Sequence, residues 1–154
     1  MRLSKNFTLN EFTRSATALR LGINNDPNIS ALDNIQNLVD NLLQPLRNKI
    51  GAIRITSGYR NENLCLALGS KKTSQHTKGQ AVDMQFVKRG RMDNMFLMNA
   101  IIKNFDFDQI INEFNYSWIH CSYKCEGNRN QILKAYKENG TTKYMDITHQ
   151  YKSI

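Results

Sequence analysis

Ser74-Gln75-His76-Thr77-Lys78-Gly79-Gln80-Ala81-Val82-Asp83, answered far along the chain by Trp118-Ile119-His120, is the stretch from which the rest of this sequence is best read. His76 and Asp83 stand seven residues apart with Gly79 and Ala81 between them. That is not the i, i+4 spacing of two ligands on one helix. It calls for a tight loop running into a strand, with small residues letting the backbone come close to a bound ion. Gln80 to Phe86 alternates in the manner of such a strand, and His120 would arrive from a second one. Two imidazoles and one carboxylate make a ligand set that suits zinc and leaves one coordination position open, the feature that separates catalytic from structural zinc sites.

Outward from this stretch, Ala52 to Thr56 reads as a strand and Ser57-Gly58-Tyr59-Arg60 as the loop leaving it. Asn61 to Leu68 is a short helix closed by Gly69, and Ser70 to Gly79 a polar loop. On the N-terminal side, Thr8-Leu9-Asn10-Glu11 has capping-box spacing, so a helix is expected from there to about Leu21, ended by Gly22. A turn-rich connector with Pro27 leads into a longer amphipathic helix with Ile29, Leu32, Ile35, Leu38, Leu42 and Leu46 on one side. Pro45 should kink it or start its last turn. On the C-terminal side, Arg91 to Asn104 carries Met92, Met95, Phe96 and Ile102 at helical spacing, a stripe expected to fill the core. Asp108 to Phe114 and Ser117 to Tyr123 read as a hairpin. Asn139-Gly140 signals a second turn, between Gln131 to Lys137 and Thr141 to Ile147, although the first of these segments could also be helical.

The chain has 154 residues, 40% of them hydrophobic, which is the size and make-up of one folded domain over 1–154. No apolar run is long enough to span a bilayer. The N-terminus lacks the apolar core of a secretory signal, so synthesis in a cytosol is expected, with any action outside it depending on release by another agent. Three cysteines, Cys65, Cys121 and Cys125, are an odd number and argue for free thiols over a disulfide framework. His120 and Cys121 are strand neighbours on opposite faces, which excludes a shared metal. The net charge of +8 suits an anionic partner. The basic residues are dispersed and form no nucleic-acid motif, so no nucleic-acid partner is expected and an anionic wall or membrane surface explains the charge equally well.

Glu113 lies seven residues before His120. With a turn of two or four residues between the strands, it shares the His120 face and stands where it could take a proton from water activated by the metal. Arg60 would supply positive charge for a substrate carboxylate or a developing oxyanion. Ser74 is placed to bind substrate or to orient the ligand loop, and Trp118 shares the His120 face. Singly, each has a plainer reading: a loop histidine, a capping aspartate, a solvated glutamate, a surface arginine, a packed tryptophan. His149, outside any motif, is expected to be exposed.

Together these residues resemble the M15 family of zinc peptidases, the D-Ala-D-Ala carboxypeptidase and phage endolysin group. The resemblance rests on Ser74-x-His76-x-x-Gly79-x-Ala81-x-Asp83, Glu113 and Trp118-Ile119-His120. Phe7-Thr8-Leu9-Asn10-Glu11-Phe12, Ser15-Ala16-Thr17-Ala18, Gln44-Pro45-Leu46-Arg47 and Ile55-Thr56-Ser57-Gly58-Tyr59-Arg60 are similar to the compact phage and prophage members. The resemblance implies an α+β domain of the hedgehog-type DD-peptidase fold, a small antiparallel sheet with helices packed on it. It implies one zinc held by His76, Asp83 and His120, Glu113 as catalytic base, and Arg60 steadying substrate charge. The implied reaction is hydrolysis of a stem-peptide or cross-link amide of peptidoglycan by a monomeric enzyme made in the host cytoplasm and acting on the wall after release. The Glu113-to-His120 interval is longer than the Glu-x-x-His of some branches, and Cys121 and Cys125 lie outside the family pattern. The rival reading keeps the fold and zinc in a non-catalytic virion or wall-binding protein.

Overall fold

A computed structural model describes residues 1–151, so the expected domain of 1–154 runs three residues beyond them. In chain order the elements are α1 (Leu9–Thr13), α2 (Ala16–Leu21), α3 (Ile29–Leu38), a π-helical turn (Val39–Leu43), α4 (Gln44–Ile50), β1 (Ile53–Ser57) and α5 (Glu62–Ala67). A 3₁₀ turn (Gln75–Lys78), β2 (Ala81–Lys88), β3 (Arg91–Met92), α6 (Asn94–Asn104), β4 (Gln109–Glu113), β5 (Trp118–Ser122), β6 (Gln131–Glu138), β7 (Thr141–Asp146) and α7 (Thr148–Tyr151) complete it. This is an α+β fold on one sheet ordered β1-β2-β5-β4-β6-β7, with β3 hydrogen-bonded to the far end of β2. The sheet is mixed where an antiparallel one was expected, because β6 pairs with β4 in parallel. The long turn out of β5 carries the chain past β4, and β6 adds beyond it.

One face of the sheet holds the core. Val82, Met84 and Phe86 of β2, Ile119 and Cys121 of β5 and Ile110 of β4 pack against Ile35, Leu38, Leu42 and Leu46 of the long helical segment and Leu97, Met98 and Ile101 of α6. Because strand side chains alternate, the residues between these, Asp83, His120 and Ile111, are turned to the other face. They are also register partners, Asp83 opposite His120 and His120 opposite Ile111.

Two helix expectations are corrected by local hydrogen bonding, and one apolar residue lies outside its expected stripe. The single helix to Leu21 is two. The Thr8–Glu11 capping box starts α1 (Thr8 N–H to Glu11 Oε1, 2.8 Å), but Ser15 caps a fresh helix by accepting from Ala18 N–H at 3.2 Å, and Arg14 between them is extended. A serine with a backbone donor in reach competes with helix continuation. Gly22 does close α2, in the left-handed conformation. The helix expected from Arg91 starts at Asn94, where Asp93 caps it at Phe96 N–H; Met92 lies in β3, Met95 and Phe96 are exposed, and of the expected stripe Ile102 packs against the core beside Leu97, Met98 and Ile101. Ile29 is exposed, unlike the rest of its expected stripe.

Pro45 falls in the first turn of α4, just after the π-helical turn. Gln44 N–H bonds to Val39 O five residues back, and the proline that follows has no N–H to give, so the wider turn absorbs the break without ending the helical path. The expected second hairpin forms, with Asn139 and Gly140 both at positive φ (50° and 76°) as a two-residue turn requires.

The helical layer touches the ligand loop closely at Gly79. Gly79, at φ +70°, lies so close to α3 that a Cβ there would sit 2.3 Å from Ala31 O. Gly79→Ala is therefore expected to lower the unfolding free energy by at least about 2 kcal/mol, from left-handed strain plus overpacking, as measured by urea denaturation.

Candidate metal centre

His76 reaches the site from the 3₁₀ turn that precedes β2. Ser74 caps this turn, its Oγ accepting from His76 N–H at 3.3 Å. His76 is 3% exposed. Its Nδ1 lies 2.6 Å from Gly58 O. A carbonyl only accepts, so Nδ1 carries the hydrogen and Nε2 keeps its lone pair. That lone pair faces Asp83 Oδ1 at 3.4 Å. Burial holds the imidazole pKa below its usual value, helped by His120 and Arg60 and opposed by Asp83, which leaves the ring neutral as a metal ligand must be.

Asp83 is the centre of the cluster. His120 Nδ1 stands 3.1 Å from the same Oδ1, while Arg60 Nη2 donates to the other oxygen, Oδ2, at 2.7 Å. Arg60 Nε donates in turn to Ser57 Oγ at 2.9 Å, and its backbone N–H to His76 O at 3.2 Å. Burial alone would raise the Asp83 pKa, but its partners in the cluster hold it far below the ordinary carboxylate range.

The donor atoms of His76, Asp83 and His120 all lie within 4.8 Å of one another. Ligands about 2.0–2.1 Å from one tetrahedral zinc are roughly 3.3 Å apart. The 3.4 and 3.1 Å separations from Asp83 Oδ1 match that spacing. The pairing of His76 Nδ1–H with a backbone carbonyl is the outer support usual for a metal-bound imidazole. The residues present fit a single zinc.

Glu113 closes β4 directly opposite Trp118, one register step along from His120 on the same face. The four-residue turn between the strands puts Phe114, Asn115 and Tyr116 at positive φ, and Asn112 Oδ1 accepts from Tyr116 N–H at 2.6 Å to hold it. Glu113 is 8% exposed. Burial lifts its pKa to about 6, His120 and Arg60 pulling down and Asp83 pushing up. Trp118 is half-buried on the same face, its ring 5.4 Å from that of Phe114. Cys121 points into the core behind His120, Cys125 is exposed, and neither joins the cluster. His149 is exposed.

A family model described as Peptidase M15 matches residues 5–122. The chain belongs to the M15 peptidase family. That membership places it among the metallopeptidases, and the matched stretch contains Arg60, His76, Asp83, Glu113 and His120 while ending at β5, before the β6–β7 hairpin. No individually curated protein matches the chain significantly.

Two supports of the M15 site were not visible in sequence. The Gly58 carbonyl is one. The other is Asp108, fully buried, which accepts from Gln75 Nε2 at 2.9 Å and from Arg129 Nη2 at 2.6 Å and faces Lys124 Nζ at 3.1 Å. It ties the ligand loop, one residue before His76, to the segment leading into β6. Burial opposes its ionisation, but hydrogen bonds from Arg129, Lys124 and Gln75 outweigh it and depress the pKa. A depressed carboxylate stabilises the fold fully above its unfolded value of about 4 and progressively less below it. Asp108→Asn is expected to cost about 2–4 kcal/mol at neutral pH. In urea unfolding the gap to the parent should narrow as the pH is taken below about 4.

Proposed function

We propose that this chain is a zinc-dependent peptidoglycan peptidase that hydrolyses a stem-peptide or cross-link amide, as a D,D-carboxypeptidase or endopeptidase, and that it serves phage or prophage lysis. The observation that carries the reading is the buried Glu113 carboxyl set on the same sheet face as the three-donor cluster. A module that only bound wall or filled a capsid would need neither its position nor its raised pKa.

His76 through Nε2, His120 through Nδ1 and Asp83 through Oδ1 would hold the ion. Zinc there supplies positive charge that polarises the scissile carbonyl and acidifies a neighbouring water. The rest of the chemistry belongs to side chains. Glu113, ionised above about pH 6, accepts the proton of the attacking water and then delivers it to the departing amine. Arg60 keeps Asp83 turned with one oxygen toward the histidines, and its charge beside the cluster favours an anionic group on the substrate. Trp118, paired with Glu113, offers an aromatic flank to the stem peptide. The +8 charge would favour residence on an anionic wall. Among the described residues no helix is long and apolar enough to cross a membrane.

The decisive experiment uses defined muropeptides with product masses read by mass spectrometry. Chelation should abolish cleavage and one equivalent of zinc restore it; cleavage at full rate after chelation would refute the metal reading. Glu113→Gln is expected to lower kcat about 10²- to 10⁴-fold while zinc stoichiometry stays at one. Retention of wall lysis by that variant would favour the non-catalytic rival. Because the base works only when ionised, kcat/KM of the parent should fall as the pH drops through about 6, and Glu113→Gln should lack that limb.

A further inference from the structure

The β6–β7 hairpin, outside the stretch shared with the family model, brings another functional group to the face that carries the metal centre. Glu113 is the register partner of Ala135 in the parallel β4–β6 pair, and Ala135 is the partner of Tyr144 in the β6–β7 pair. Residues in one such row point to the same face, so Trp118, Glu113, Ala135 and Tyr144 form a line across four strands. Two strand spacings separate Tyr144 from Glu113, about 10 Å between backbones, which the two long side chains together can span. Between them stands Ala135, fully buried, whose methyl is the smallest side chain in the row.

The phenol feels the site. After burial, the charges of Glu113 and Asp83 are what raise its pKa, so it remains a protonated donor through neutral pH, with both the base and a metal ligand in electrostatic range. Tyr144 is 56% exposed, open to an incoming substrate on the rim of the site. Arg60, the expected partner for developing charge, has already committed Nη2 to Asp83 and Nε to Ser57.

We propose that Tyr144 contacts the substrate, donating its phenolic hydrogen to the carbonyl oxygen of the scissile amide as negative charge builds there. No proton is transferred by the phenol: water's proton passes through Glu113 to the amine as the C–N bond breaks, and Tyr144 holds the oxygen by a hydrogen bond that strengthens in the transition state. This role rests on the peptidase reading above.

The test is Tyr144→Phe in the zinc-loaded full chain, assayed on the same muropeptides beside the parent and Glu113→Gln. The expected result is a kcat about 10- to 100-fold lower with KM within about twofold, and an unchanged melting temperature. A phosphinate analogue of the peptide, titrated by calorimetry, should bind more weakly by a similar factor while the cleaved product binds as before. A kcat within twofold of the parent, a loss confined to KM, or a kcat loss matched by a drop in melting temperature would each overturn the proposal. If Glu113→Gln is inactive and Tyr144→Phe is normal, the tyrosine role alone fails. If the parent cleaves nothing, or Glu113→Gln cleaves normally, the peptidase reading fails with it.

Discussion

Asp83 is a carboxylate with 9% exposure, and a carboxylate placed there without partners would take up a proton rather than stay charged. Its partners come from three separate places: Arg60 in the loop after β1, His76 in the turn before β2, and His120 from β5. None of these is near another in sequence, and each arrives only when β1, β2 and β5 are in register. The dependence also runs the other way. Breaking such a group by removing one partner leaves an uncompensated buried charge, so a one-residue slip of β5 would cost both the site and the sheet that carries it. The two oxygens of Asp83 divide the labour, one gripped by Arg60 and the other turned to the imidazoles.

That division explains why the site was only partly legible beforehand. The clustering of these residues could be read because each requirement is local: a small-residue loop leading into a strand for His76 and Asp83, strand alternation for His120, and a four-residue turn that returns Glu113 to the same face. The fate of Arg60 could not, since which carboxylate a guanidinium meets is decided by packing. Sequence offered it as positive charge for a substrate; the structure adds an ion pair with Asp83. Asp108 was invisible for the same reason, being one acidic residue among thirteen until Gln75, Lys124 and Arg129 converge on it.

The fold shows the same boundary between local and distant causes. Gly22, Asn61 as the cap of α5 and the Asn139-Gly140 turn act within a few residues, and they do what their chemistry says. The break at Ser15 and the late start of α6 at Asn94 came from caps that competed with a plausible longer helix. The parallel pairing of β4 with β6 carries no local mark, because alternation within a strand is the same whichever way its neighbour runs.

The contact of Gly79 with the backbone of Ala31 has a thermodynamic corollary. The loop that presents His76 has no packing surface of its own at this point; it is shaped against α3, and Asn34 in the same helix donates to Lys78 O at 2.8 Å. An ion held by the cluster would link its affinity to helix docking. The free energy released when a ligand fills the centre is drawn against the same equilibrium that seats α3 on the sheet, so a change on the far side of that helix that loosens it by a given amount weakens the centre too, without touching a single donor atom.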